Sequence, residues 1–175
     1  MSPTAWAAME RGDLRFSMTL AEEVRIEQGR PIRLEPGRVM SLERERATAF
    51  VEGYGRTWES WDFAGFVDLF SDDVVYVEHP VDETVIGREA MGRYIRREQA
   101  EAGTVSVRMG RPLVEGDRVV AEFWTAMSNR EGEPEGTLIG CFIAQLDPTT
   151  GRCSHFRQYW FEVEGRAAPF NGWGE

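Results

Sequence analysis

Glu78 and Tyr76 are the residues whose types and spacing could support acid–base chemistry. They stand two positions apart in the β-rich run 73–79, so the alternation of strand side chains puts both on one face. A carboxyl group among apolar side chains loses hydration, which disfavours its charged form and moves its pKa upward, toward the range useful for proton transfer. The spacing therefore predicts Glu78 as an acid or base, with Tyr76 beside it.

A polar group on a later strand could complete this site. Gln158 shares one strand face with Phe156 and Trp160 in the β-like run 153–163. Its amide, together with the Tyr76 hydroxyl, could polarise and orient a substrate carbonyl. The residues predicted to bind the substrate are mainly aromatic, as expected for a small-molecule pocket: Trp58, Trp61, Phe142, Phe156, Trp160 and His79.

These residues also have structural interpretations, which the sequence leaves open. Glu78 could sit at a rim, solvated or paired with an arginine such as Arg88, because acids near strand ends are commonly structural. His79 faces away from Glu78 in a regular strand, unless Pro80 bends the chain and brings the ring to the pocket mouth. The aromatic residues are equally typical of an ordinary hydrophobic core.

The opposite face of the last strand carries different residues. His155 shares parity with Arg157 and Tyr159, which predicts an outer face that meets solvent or a second subunit. Several strands are apolar on both faces, which favours a homodimer. Two histidines separated by a whole sheet supply too few ligands for a metal, so neither a metal nor a cofactor is expected. The face occupied by Trp124 depends on a register that the pattern does not fix.

Hydrophobic periodicity predicts the elements that position these residues. Apolar residues at helical spacing predict a helix from about 43 to 61, and a third helix from 88 to 101. Between them, Asp62 could cap a shorter helix that ends at Phe70. After Gly103, short turns join four β-like runs into a predicted antiparallel meander: 104–114, 118–128, 137–146 and 153–163.

The region 1–42 differs from the α+β domain predicted over 43–175. Prolines and glycines break it into short pieces that cannot build a core alone, so it is predicted to be an N-terminal arm of open function. Within it, Thr19 to Glu22 has the pattern of a capping box, and Gly29 could end the helix that begins there.

Composition and charge exclude several classes of function. The chain has 175 residues, of which 42% are hydrophobic, enough for one core. No apolar stretch is long enough to span a bilayer and the start is polar too soon for a signal peptide, so a cytoplasmic protein is expected. The net charge of -10 repels phosphate backbones, so nucleic-acid and membrane partners are not expected. The chain has no lysine, which excludes lysine Schiff-base chemistry.

The order of elements over residues 43–164 resembles the nuclear transport factor 2-like fold and its SnoaL-like branch. The short segments that resemble the family are 58–62, 69–74, 86–90 and 156–161. The resemblance implies a curved antiparallel sheet that wraps three helices into a cone around a small-molecule pocket. The branch resembles polyketide cyclases, limonene epoxide hydrolase and ketosteroid isomerase, but it also includes binding domains without known chemistry, so the fold alone decides no reaction.

The resemblance also bears on individual residues. In limonene epoxide hydrolase a tyrosine and an asparagine two residues apart, just before a proline, point into the cone, which implies that Tyr76 and Glu78 point inward here. The last strand of that enzyme carries an aspartate where this chain has Gln158, and its arginine and aspartate of the middle strand fall near Phe123 and Thr125. The epoxide hydrolase triad is therefore not carried over.

Three functions are consistent with this pattern. The first is a cofactor-free isomerase, cyclase, lyase or hydratase that acts on an apolar, carbonyl-bearing metabolite. The second is a ligand-binding or accessory dimeric subunit with the same pocket and no turnover. The third is a dimerisation scaffold with a filled cone.

Overall fold

The computed structural model describes residues 24–27, 30–33, 36–80, 84–101 and 103–174. The chain divides into two units, Met1–Arg38 and Val39–Glu175. In the first unit, strands β1 (Val24–Glu27) and β2 (Arg30–Arg33) pair antiparallel as a two-stranded sheet. The prediction of a helix that ends at Gly29 is therefore wrong for the residues of β1, where β-branched valine and isoleucine favour a strand. The capping-box residues 19–22 lie outside the described residues.

Three helices are present in the described ranges: α1 (Pro36–Glu59), α2 (Phe63–Asp68) and α3 (Arg88–Glu101). Helix α1 begins seven residues earlier than predicted, at a proline, which suits a first helical turn because its missing N–H needs no partner there. The predicted cap of α2 is confirmed, since the Asp62 carboxylate accepts a hydrogen bond from the Gly65 amide at 3.0 Å. Among the residues described, no helix combines the length and apolar character needed to cross a membrane.

Seven strands form the main sheet, in the order β4-β3-β9-β8-β7-β5, with β6 paired to β7. They are β3 (Phe70–Val77), β4 (Val85–Ile86), β5 (Thr104–Met109), β6 (Leu113–Glu115), β7 (Arg118–Ser128), β8 (Pro134–Leu146) and β9 (Cys153–Glu164). The predicted antiparallel meander is confirmed for β7, β8 and β9. The strand predicted over 104–114 is interrupted between β5 and β6, where Pro112 has no N–H to give to a ladder.

The last strand returns to the first strand of this sheet in parallel. Tyr76 on β3 pairs with Phe156 on β9, and Val77 pairs with Arg157. Local periodicity carries no information about this pairing, which joins parts of the chain that are far apart in sequence. The parallel pair is the feature that assembles the candidate site.

The sheet is curved and open, and the mixed α+β architecture is the one predicted. The apolar face of α1 packs into its inner side, where the buried core is aromatic-rich and includes Phe50, Tyr54, Phe70, Tyr76, Phe142 and Phe156. Most of these rings contact one another edge-on or tilted, and Phe156 stacks on Tyr54 and Tyr76, with centroids 5 to 6.5 Å apart. Burial of the inner face is therefore the main source of stability in this unit.

The C-terminal segment packs on the outer side of the same sheet. The Trp124 indole nitrogen donates a hydrogen bond to the Ala167 carbonyl at 2.9 Å, and the Trp124 and Trp173 rings meet edge-on at 5.9 Å. The Arg111 amide donates to the Gly174 carbonyl at 2.8 Å. Trp124, which the sequence left unassigned, therefore lies on the outer face.

Candidate functional site

The parallel pairing of β3 and β9 brings Glu78 beside Gln158. Tyr76 pairs with Phe156 and Val77 with Arg157, and one further step in the same register sets Glu78 opposite Gln158. The Gln158 amide nitrogen donates a hydrogen bond to Oε1 of Glu78. Two side chains that are 80 residues apart in sequence thus form one polar pair on the inner face.

Both oxygens of the Glu78 carboxylate accept hydrogen bonds. Oε2 accepts from the Tyr76 hydroxyl, and Oε1 accepts from Gln158. The Tyr54 hydroxyl on α1 then donates to Oε1 of Gln158 at 3.1 Å. Each oxygen of the carboxylate is therefore held by its own donor. A helix and two strands together fix the position of one carboxylate.

A stack of aromatic rings holds the two tyrosine hydroxyls in place. The Tyr76 ring lies parallel to the Phe156 ring, with centroids 5.1 Å apart, and the Tyr54 ring also stacks on Phe156, with centroids 5.4 Å apart. Phe142 supports both Tyr54 and Phe156 at 5.1 Å. Phe142 and Phe156 are 0% and 2% exposed, so they form the packed floor beneath the polar network.

The two tyrosines are neutral donors. Burial raises the pKa of the Tyr54 and Tyr76 hydroxyls well above the ordinary value of 10.0, and the negative charge of Glu78 raises both further. The neighbouring Trp58 indole offsets part of the rise in the pKa of Tyr54, although its N–H does not reach hydrogen-bonding geometry with any described residue. Neither tyrosine can therefore act as a base near neutral pH, and Glu78 is the group of the network suited to accept a proton.

His79 follows Glu78 in the chain, and Trp160 lies two residues beyond Gln158 on β9. Their rings meet edge-on with centroids 5.2 Å apart, and both side chains are half-buried. Trp160 shares the inner face of β9 with Gln158, and His79 directly follows Glu78 in the chain. The structure thus brings together five predicted residues: Glu78, Tyr76, Gln158, His79 and Trp160.

Trp58 and Trp61 lie toward the α2 end of the unit. Their rings meet at 5.6 Å, and both border a cavity of about 10 Å³ that Phe63, Phe66 and Ile95 also line. The Trp61 indole nitrogen donates to the Gly103 carbonyl at 3.1 Å, and the residue has a positive φ of 52°. This hydrogen bond therefore ties the Trp61 side chain to the backbone of the residue that precedes β5.

The outer-face residues lie where strand parity predicts them. His155, Arg157 and Tyr159 are exposed. A groove of about 410 Å³ runs over this face between Val75, His155 and Arg157, and a second of about 330 Å³ continues past Arg118. The polar network and these grooves are on opposite sides of the same sheet.

The geometry is that of a known domain family. A model of the SnoaL-like domain matches residues 48–165, which is more than half of the chain. The chain belongs to the SnoaL-like domain family. This match confirms the resemblance to the SnoaL-like branch that was predicted from the sequence. Among curated proteins, no relative matches the chain.

Solved structures share the fold of this SnoaL-like domain at low sequence identity. A Mycobacterium tuberculosis LEH-like epoxide hydrolase is 22% identical, with a TM-score of 0.56 over 67% of this chain and 84% of its own. SalBIII, an epoxide hydrolase/cyclase-like enzyme of pyran ring formation in salinomycin, is 17% identical, with a TM-score of 0.59 over 69% and 94%. A computationally designed 17-OHP binder is 18% identical, with a TM-score of 0.56 over 69% and 98%.

Sequence reasoning missed the role of Tyr54 in this SnoaL-like domain. Its position on the apolar face of α1 marked it as core, and it is 5% exposed, yet its hydroxyl binds Gln158. One signal in the sequence could have indicated this role. A tyrosine among phenylalanine and tryptophan on a buried helix face carries a hydroxyl that needs a hydrogen-bond partner.

Metal ligation finds no support in the described ranges. No group of three or more histidine, cysteine, aspartate or glutamate side chains there is arranged to hold a metal ion. Cys153 is buried and burial raises its pKa to about 12, so its thiol is a poor ligand at neutral pH. The polar network around Glu78 consists of hydroxyl, amide and carboxylate groups bound to one another.

Proposed function

We propose that this domain is a cofactor-independent enzyme in which Glu78 transfers a proton on an apolar, carbonyl-bearing metabolite. The reaction class is an isomerisation, cyclisation, lyase step or hydration. The observation that carries the proposal is the convergence of the Tyr76 and Gln158 donors on both oxygens of one half-buried carboxylate. Membership of a family whose structural neighbours include cyclase-like enzymes supports an enzymatic role. Residues 43–175 would carry this activity, with 1–42 as an N-terminal arm.

Tyr76 and Gln158 act in this proposal chiefly by positioning Glu78. The Tyr76 hydroxyl and one Gln158 amide hydrogen already bind the carboxylate, and Tyr76 is fully buried. A base held in one orientation meets the reacting C–H or O–H without a reorganisation cost.

The remaining predicted residues divide by location. Trp160 and His79 would form the wall that the substrate touches, since their rings contact each other and the two residues lie close to Gln158 and Glu78 in sequence. Phe142 and Phe156 would support that wall from within the core. Trp58 and Trp61 would close the far end, beside the small cavity that they line.

The variant Glu78→Gln tests the proposal. It keeps the shape of the side chain and removes the ability to accept a proton, so turnover should fall about 10²- to 10⁴-fold. The assay follows turnover of a panel of β-diketones, unsaturated ketones and hydroxyketones by liquid chromatography with mass spectrometry, because isomers have the same mass and must be separated first. The matched control is Glu122→Gln, because Glu122 is an exposed glutamate on the outer face of β7.

The two possible failures of this test have different meanings. Equal turnover by the wild type and Glu78→Gln would contradict proton transfer by Glu78. If no panel member turns over while native mass spectrometry finds a retained ligand, the domain is a binding or accessory subunit. One observation favours that second candidate, namely that Gln158 stands where the epoxide hydrolase pattern has an acid.

We also propose that the protein works in the cytoplasm as a homodimer that associates through its outer sheet face. Tyr159 and Phe161 on β9 are 43% and 57% exposed, and exposed apolar residues grouped on one face are typical of interfaces. Phe161→Asp should convert a dimer into a monomer in sedimentation velocity. Met40→Asp, which changes a 63% exposed residue of α1, the helix that packs on the inner side of the sheet, should leave the dimer intact. A wild type that sediments as a monomer would contradict the homodimer.

A further inference from the structure

The hydrogen-bond donors of the candidate site are largely occupied. The Tyr76 hydroxyl donates to Glu78, the Tyr54 hydroxyl donates to Gln158, and one Gln158 amide hydrogen donates to Glu78. A carbonyl-bearing ligand brings an acceptor oxygen that requires a donor of its own, because a buried acceptor without a partner is unfavourable. The donor for that oxygen must come mainly from outside this network.

Trp160 carries such a donor. Its indole nitrogen is buried and has no hydrogen-bond partner among the described residues. A buried donor without a partner is unfavourable, and native structures contain few of them. The indole lies on the same face of β9 as Gln158, and its ring packs against His79, the residue that follows Glu78.

Close packing fixes the Trp160 side chain at this position. Gly140 on β8 pairs with Trp160, and a Cβ atom at Gly140 would lie 2.1 Å from the Tyr159 carbonyl oxygen and 2.7 Å from the Trp160 Cβ. Only glycine allows the backbone and the Trp160 Cβ to approach this closely. Gly140 thus fixes where the Trp160 side chain begins, and the edge-on contact with His79 packs against its ring.

We propose that the indole N–H of Trp160 binds the carbonyl oxygen of the ligand and thereby selects ketones and aldehydes over hydrocarbons of the same shape. The inference rests on the proposed function for the part of Glu78, which faces the acidic hydrogen of the same ligand. Trp160 is the specificity-determining residue of the site. Its donor is satisfied when the ligand is bound.

Trp58 also has a buried indole nitrogen without a hydrogen-bond partner, but its surroundings differ. Trp58 borders the cavity of about 10 Å³ near α2, and a space of about that size holds a single water molecule. A water there would satisfy the Trp58 N–H without any ligand. Trp160 instead lies two residues beyond Gln158 on the same face of β9, so it is the donor assigned to the ligand.

Acetophenone and ethylbenzene form a probe pair that differs in the carbonyl oxygen. The indole N–H signals of ¹⁵N-labelled protein are followed by NMR, and the Trp160 signal is assigned by its loss in Trp160→Phe. Acetophenone should move the Trp160 indole proton downfield, whereas ethylbenzene should not. In Trp160→Phe the preference for acetophenone should fall about 3- to 10-fold, which corresponds to the loss of one hydrogen bond.

The control variant is Trp124→Phe, which removes an indole donor from the outer face, where it binds the Ala167 carbonyl. It should retain the full preference for acetophenone. An unmoved Trp160 signal at the highest soluble acetophenone concentration would overturn the inference, as would a preference that survives in Trp160→Phe. The wild-type signal decides the matter even if Trp160→Phe does not fold.

The Glu78→Gln variant separates this inference from the proposed function. If Glu78→Gln loses turnover and the Trp160 signal does not respond to acetophenone, the proton-transfer role stands and the indole assignment fails. If Glu78→Gln keeps turnover and the Trp160 signal responds, the indole assignment stands and proton transfer by Glu78 fails.

Discussion

The two faces of β9 differ sharply although they are built from alternate residues of one strand. Phe156 and Gln158 are 2% and 4% exposed, whereas Tyr159 and Phe161 are 43% and 57% exposed. The inner residues close an aromatic core and hold the carboxylate of Glu78. The outer residues border open grooves. The comparison teaches that strand parity separates a packed inner side with a buried polar network from an exposed outer side.

The largest difference between the faces should appear in stability. Phe156→Ala removes a fully buried ring that contacts Tyr76, Tyr54 and Phe142, so the free energy of unfolding should fall by about 3–5 kcal/mol. Arg157→Ala changes the next residue, which is exposed on the outer face, and should alter it by no more than about 0.5 kcal/mol. Urea unfolding measures both. Equal losses would mean that the inner face is not the core.

The next difference should appear at alkaline pH. The pKa values of Tyr54 and Tyr76 are raised in the folded state, so the unfolded chain ionises first, at its ordinary value of 10.0. Their contribution is fully present below pH 10 and declines above it, by up to about 1.4 kcal/mol per pH unit for each tyrosine, until the folded pKa is reached. Urea unfolding between pH 8 and 11.5 measures this slope.

Two variants sharpen the alkaline comparison. Tyr76→Phe should make the alkaline decline less steep, because one of the two buried groups no longer titrates. Tyr159→Phe changes the exposed tyrosine of the outer face and should leave the wild-type slope unchanged. A slope that Tyr76→Phe does not alter would contradict the assignment of the decline to the inner face.

The smallest difference should appear in thiol reactivity. Cys153 is fully buried with a pKa raised to about 12, whereas Cys141 is partly exposed on the outer face of β8, with a pKa raised by burial and by Glu122. At pH 8 a disulfide reagent should modify Cys141 slowly and Cys153 only after unfolding in urea. Cys141→Ser should abolish the reaction of the native protein. Rapid modification of that variant would show that Cys153 is accessible.

Much of the fold and of the candidate site could be predicted, because these features depend on residues that are close together in sequence. The bounds of α3 match the predicted 88–101, since its apolar residues recur at helical spacing. Tyr76 and Glu78 were predicted to share a face, and their hydrogen bond agrees with that prediction. The grouping of Gln158 with Phe156 and Trp160 follows from the same alternation along one strand.

The features that could not be predicted depend on contacts between residues that are far apart in sequence. The parallel contact of β3 with β9 joins segments that no turn connects, so periodicity cannot reveal it. The partner of Gln158 on α1 was missed for the same reason, because a tyrosine on a buried helix face looks like core. The face of Trp124 depended on a one-residue register that only the pairing of β7 with β8 decides.

The same parallel contact has a consequence for biosynthesis. While the chain emerges from the ribosome, β3 has only the two-residue β4 as a sheet neighbour until β9 follows. An apolar strand with an open edge is a template for wrong pairing, and long-range strand pairing is slow. We therefore expect the interval between synthesis of β3 and synthesis of β9 to be the period in which this protein most depends on chaperones.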